Sequence, residues 1–434
     1  MAAGLTLAFL VLAASPALAD QTRHSEWWLS TLHVRNAWNI TRGSGVTIAV
    51  LDTGVDPAQP DLTGSVTTGP DFTNSGRTAG GQFWGIHGTE IASLIAGHGH
   101  GSGQADGVIG IAPSAKILSV RVTLESYDPL LANQTIAGDL PDAIARGIRW
   151  AVRHGATVID LPLDPVTTAG AAGSGRSAAE KAAVAYALSK HVVLVAPAGD
   201  GGVGTNAVNY PAAYHGVIAV GAAGRHFNKA PFSDRQPYVA VTAAGAGVTA
   251  ANPSSLSASD PSKAYTQLNS TSAASAIVAG MVALIQAQFP HLTPAQVTRA
   301  LITSTVHRHR GRRDGFGFGT VDATRALTAA AGIAETVSQA PASAAAQPAP
   351  SPPAVHSSPI HRNIGSKLIM DAVIACGVFL LLIASGFAVR AWRRRHARSA
   401  RLAEVRAATQ VPARKPTTAK KGTAKKGTAK KGST

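Results

Sequence analysis

The residues Asn269-Ser270-Thr271-Ser272-Ala273-Ala274, running on into Ser275-Ala276-Ile277-Val278-Ala279-Gly280-Met281-Val282-Ala283-Leu284-Ile285, decide the reading of this chain. A polar turn of small residues opens directly into an apolar, Ala-rich run, which predicts a buried helix with hydroxyls at its N-terminus. At such an end the first backbone N–H groups lack intrahelical partners and the dipole is positive, so a developing negative charge is favoured. Alone, the stretch reads as a core helix capped by Ser270, Thr271 or Ser272. Two upstream stretches add chemistry to it: Val50-Leu51-Asp52-Thr53-Gly54 and His87-Gly88-Thr89-Glu90. A strand-end Asp, a helix-start His and a helix-start Ser, in that chain order, match one known arrangement of a serine nucleophile with its base and orienting carboxylate.

Outward from these residues the chain alternates between strand and helix patterns. Val46-Thr47-Ile48-Ala49-Val50-Leu51 is a short apolar strand bounded by glycines, with Asp52 at its C-terminal end, where sites collect in open α/β sheets. His87 begins a helix that stops at Gly97, and residues 117–122 read as a strand. Residues 142–154 read as a helix closed by Gly155. Strands at 158–159, 192–195 and 217–220 follow, with an Ala-rich helix at about 177–190 between the first two. Thr293-Pro294-Ala295-Gln296 is a capping-box start with Pro at the first helical position. These alternations predict an α/β fold: a mostly parallel sheet with helices on both faces.

The chain's two ends differ from this middle. Residues 1–19 are apolar and finish in Ala17-Leu18-Ala19, which reads as a signal peptide without a basic leader. Residues 20–42 form a short extension, with Trp27 and Trp28 expected to pack it onto the domain at 43–330. Residues 331–363 read as an Ala/Pro/Ser-rich linker. Residues 364–390 contain an apolar run long enough to span a bilayer, and Arg390, Arg393, Arg394 and Arg395 place the following tail inside. The tail, 391–434, ends in a Thr-Ala-Lys-Lys-Gly repeat; from Arg390 onward there are 15 Lys and Arg against one acid, so this end holds nearly all of the net charge of +16. The basic pI therefore says little about the globular part. The tail suits anionic lipid head groups, and nothing beyond charge argues for nucleic-acid binding. The single cysteine, Cys376, excludes an intramolecular disulfide.

A serine hydroxyl needs a base to take its proton, a neutral imidazole is the usual base, and a carboxylate fixes the imidazole. Ser272, His87 and Asp52 are the candidates for these roles; each has a plain structural reading as well, as a core residue or a cap. Asp52-Thr53-Gly54, His87-Gly88-Thr89 and Thr271-Ser272 resemble the three active-site signatures of the subtilisin-like serine proteases. Gly107-Val108-Ile109-Gly110-Ile111-Ala112-Pro113, Tyr210-Pro211-Ala212-Ala213-Tyr214, Phe232-Ser233 and residues 315–323 are similar to the family as well. The resemblance covers residues 43–330. Within the family the chain looks most like the mycosins, the membrane-anchored proteases of actinobacterial type VII secretion, on Glu26-Trp27-Trp28-Leu29, Leu32-His33-Val34, Ala37-Trp38, the Pro-rich linker and the single C-terminal span.

The resemblance implies a subtilisin-like α/β fold and an extracytoplasmic, single-pass membrane endopeptidase acting on protein or peptide substrates beside type VII secretion membrane components. It also implies Asp52, His87 and Ser272 as the catalytic residues; the chemistry needs no metal or cofactor. Several positions depart from the family pattern. Ser270 stands where the family has Gly, and Ala276 where it has Pro. Asp200 stands where an Asn donates to the oxyanion, and an ionised Asp200 would repel that charge. In the stretch resembling the substrate-pairing strand, Asp160, Pro162 and Asp164 replace Asn, Ser and Gly, and Pro162 is expected to remove a donor from it. These departures define the alternative, a weak or inactive protease fold serving as a structural part of a secretion complex.

Overall fold

The structure is a computed structural model, and it describes residues 22–163, 177–306 and 311–339. The signal peptide, most of the linker, the span, the basic tail and Asp164 lie outside the described residues. Among the described residues there are eleven strands: β1 (Thr47–Asp52), β2 (Val66–Asp71), β3 (His98–His100), β4 (Asp106–Ile109), β5 (Lys116–Arg121), β6 (Val158–Asp160), β7 (Val193–Pro197), β8 (Ile218–Ala223), β9 (Val241–Ala244), β10 (Ala246–Ala251) and β11 (Tyr265–Asn269). Seven form one parallel sheet in the order β2-β5-β1-β6-β7-β8-β9, and the rest make two small antiparallel pairs, β3-β4 and β10-β11. The order turns back at β1, which puts Asp52 at a topological switch point.

The pleat divides the apolar strand residues between two cores. Ile48 and Val50 face one layer with Val158, Val195 and Val220, under the helices Ile86–Ala96 and Thr271–Gln288. Ala49 and Leu51 face the other layer with Ile159, Leu194 and Ala196, under the helices Gln134–Arg153 and Ala178–Ser189. Helices thus cover both faces, as the alternation predicted. Thr271–Gln288 is the one described helix long and apolar enough to cross a membrane, but 89% of it is buried, so it is the central helix of a folded core.

Two local readings need correction, and a third, at Pro162, gains a structural setting. The helix expected to start at Asp142 starts at Gln134 and runs through Pro141. Asn133 caps it, and Leu140 packs with Leu124 and Leu131 in a satellite core that outweighs the backbone bond Pro141 cannot make. The C-terminal helix Ala323–Ser338 continues eight residues into the stretch read as linker. Its Ala-rich composition favours helix, and Ile333 and Ala334 still touch the core. Pro162 lies beyond β6 and sits at the centre of a three-residue turn closed by the Leu163 N–H on the Leu161 carbonyl at 2.7 Å, so its missing N–H breaks no ladder bond.

The extension is integral to the fold. Trp28 and Leu29 are fully buried. Trp27 donates its indole N–H to the Gly247 carbonyl, Trp38 donates to the Ile111 carbonyl, and the Glu26 carboxyl accepts from the Ile109 N–H. None of these partners borders the cleft described next, so residues 22–42 pack away from it.

Candidate active site

A cleft of about 250 Å³ opens at the C-terminal ends of β1, β5 and β6, and Asp52, His87, Asp200 and Ser272 all line it. The structure therefore brings every site residue named from the sequence to one place. A larger hollow of about 530 Å³ lies at the opposite edge of the sheet, near Gly45, Thr157 and Gln286, and contains none of them.

Asp52 ends β1 and is buried. Its two carboxylate oxygens lie 2.9 and 2.8 Å from His87 Nδ1, and Oδ1 also accepts the Thr53 N–H at 2.6 Å. His87 is the second residue of Ile86–Ala96, and the glycine after it is what lets the helix come this close. A Cβ on Gly88 would meet the Gly54 carbonyl oxygen at 2.0 Å and the Asp52 Cβ at 3.2 Å. Thr89 pins the same turn, donating to the Gly85 carbonyl and accepting the Asp56 N–H.

Ser272 is the second residue of Thr271–Gln288. Ser270, the N-cap, is extended at φ −154°, a conformation open to any residue, and its hydroxyl accepts the Ala273 N–H at 3.1 Å. The departure from Gly at 270 is thus a competent cap. The Ser272 N–H is among the first helical amides, which have no intrahelical acceptor. The Ser272 hydroxyl donates to the Pro162 carbonyl at 3.2 Å rather than to His87. Pro162 therefore presents an acceptor to the cleft even though it has no donor. Asp200 lies across from this helix end, and its Oδ1 accepts the Thr271 N–H at 2.8 Å.

The site holds more acid than the sequence reading assigned. Glu90, one turn beyond His87, is pushed up to about 8 by burial, with Glu125 and Asp52 adding to it and His87 opposing. Glu125, just past β5, is raised above the usual carboxyl value, again by burial first. Asp160 is fully buried, and burial raises it well above the ordinary range against the opposing contacts of Ser275 and the Leu161 backbone. That direction favours its protonated form, which is close in shape to an asparagine. Burial works against a charged His87, but Asp52, then Glu90 and Glu125, outweigh it and raise the imidazole to about 10. Glu125 was missed because it belongs to no motif; its one sequence signal is its place after a strand whose C-terminal edge it shares with Asp52.

An imidazole held by a buried carboxylate, beside a hydroxyl at a helix N-terminus, can support nucleophilic acyl transfer. Comparison with known proteins agrees. The subtilase family profile matches residues 43–319. Thermitase of Thermoactinomyces vulgaris is 35% identical over 67% of this chain and 91% of its own length. Mycosin-1 of Mycobacterium tuberculosis is 32% identical over 89% of this chain and 90% of its own. The crystal structure of MycP1 from the ESX-1 type VII secretion system superposes with a TM-score of 0.56 at 27% identity, covering 69% of this chain and 84% of that one. The chain belongs to the subtilase family of serine endopeptidases and stands close to the mycosins.

Proposed function

We propose that this chain is a membrane-anchored, extracytoplasmic endopeptidase in which Ser272 is the nucleophile, His87 the general base and Asp52 the orienting carboxylate. The observation that carries the assignment is the contact between Asp52 and His87 Nδ1 at 2.8 Å, in the cleft that also holds Ser272. His87 takes the proton from the Ser272 hydroxyl as Oγ attacks the scissile carbonyl, and Asp52 stabilises the imidazolium that results. The Ser272 N–H and the helix N-terminus face the developing oxyanion. When Ser272 turns from Pro162 to His87, the Pro162 carbonyl is released to accept a substrate amide. Membrane anchoring rests on the apolar run and arginines at 364–395, and an association with type VII secretion rests on the mycosin relatives.

The test uses the full-length chain in membrane vesicles, treated with a serine-reactive phosphonate beside Ser272→Ala and His87→Ala. Labelling lost in both variants supports the assignment; labelling that survives Ser272→Ala overturns it. One observation favours a second reading, an inactive structural subunit of a secretion complex. The Asp200 carboxylate already occupies the anion-favouring end of the Ser272 helix. A wild-type chain that stays unlabelled while Asp200→Asn labels would establish that reading.

A further inference from the structure

Glu125 is buried, yet it walls the cleft. Its Oε1 accepts the N–H of Ile86 at 2.7 Å, and Ile86 is the first residue of the helix that carries His87. That helix has no cap of its own, because the N-cap position is Gly85, left-handed at φ 74° and without a side chain. Two residues on, the Gly88 N–H is taken by Thr53 Oγ1 at 3.1 Å, and Thr53 in turn hydrogen-bonds Glu125. Two of the four amides that every helix start leaves unpaired are thus held by a pair of residues from the ends of β1 and β5.

We propose that Glu125 is a positioning residue for His87: from the loop after β5 it caps the helix bearing the imidazole, and its charge sets the imidazole against Asp52 and Ser272. This rests on the reading of His87 as the general base. A carboxylate suits the helix N-terminus and the adjacent imidazolium alike. The charged and titratable groups facing His87 are Asp52 from β1, Glu90 from its own helix, Glu125, and Asp160 from β6. Glu125 differs from the others in touching the helix backbone itself.

The experiment follows His87 directly. The full-length chain is labelled with carbon-13 at histidine Cε1, and the His87 signal is identified from His87→Gln. Wild type is compared with Glu125→Gln, which keeps an acceptor for Ile86 without the charge, and Glu125→Ala, which keeps neither. In Glu125→Gln the imidazole should titrate at lower pH with an unchanged thermal unfolding midpoint. Glu125→Ala should slow phosphonate labelling of Ser272 by on the order of 10- to 100-fold, the effect of a small displacement of a reacting group. A merely structural role would lower the unfolding midpoint in both variants and leave the titration of His87 in place, and that result overturns the proposal. If the wild type does not label but the titration moves, the positioning role stands and the protease reading fails.

Discussion

Asp200→Asn is the substitution with the largest expected gain in rate. Asp200 Oδ1 accepts the Thr271 N–H at 2.8 Å, at the helix end where the substrate carbonyl oxygen must become anionic beside the Ser272 N–H. An ionised carboxylate can only accept, so it meets that oxygen as a second negative charge. Asparagine keeps an acceptor for Thr271 and turns the other oxygen into a donor. In a related serine protease, removing one such donor costs roughly 2.7–4 kcal/mol, or roughly 10²–10³ in kcat. Supplying one, and removing a like charge, should therefore raise kcat at pH 8 by about 10²-fold or more, with KM changed by less than about threefold. Peptide turnover and phosphonate labelling, followed from pH 5 to 9, measure this. The gain should shrink toward acid pH, because a protonated Asp200 can itself donate. A kcat that stays level or falls at pH 8 would refute the reasoning, since it would mean that Asp200 does not face the oxyanion or already donates to it.

Other expectations follow from the same geometry. His87 is raised by its acidic neighbours and acts only when deprotonated, so the acidic limb of kcat/KM should lie above the ordinary histidine value of 6.5; a limb at or below 6.5 would contradict this. Gly88→Ala should abolish turnover and lower the unfolding midpoint, because its Cβ would sit 2.0 Å from the Gly54 carbonyl oxygen; full activity would show that the helix can retreat from β1. Glu180 is buried with one carboxyl oxygen unpartnered, and desolvation pushes it up to about 7. The unfolded chain releases this proton near 4.5 and the folded chain near 7, so stability falls as pH rises across that window. Glu180→Gln should remove on the order of 3 kcal/mol of that decline, read by denaturant titration at several pH values. Trp28→Ala should cost about 3–5 kcal/mol, measured the same way, if the extension is part of the core.

How much of this was legible in the sequence depends on the range of the interaction that decides each feature. β1 and β8 announce themselves as apolar runs between glycines, and Ser270, Thr293 and Asp322 cap helices through contacts three residues away. The helix at Gln134 hid its first turns because Pro141 looks locally like a beginning; what keeps it helical is Leu140 against Leu124 and Leu131. The place of the extension was half visible. Paired tryptophans imply packing, but only the fold tells which face receives them.

The departures from the family pattern show the same dependence, and they narrow the question of activity. Read along the chain, Asp160, Pro162 and Ser270 each argue against a working site. In place, burial raises Asp160 well above the ordinary carboxyl range, which favours the protonated, amide-like form. Pro162 lies in a turn where its lack of an N–H costs no ladder bond, and its carbonyl still reaches the cleft. Ser270 is extended, needs no glycine, and caps the helix. Ala276 continues a helix in which alanine is the best former. Asp200 differs in kind, because its carboxylate engages the backbone at the very helix end that catalysis requires for another anion. Among the described residues that depart from the family, activity turns on whether Asp200 carries a proton when the substrate is bound, and the pH dependence of Asp200→Asn measures that directly.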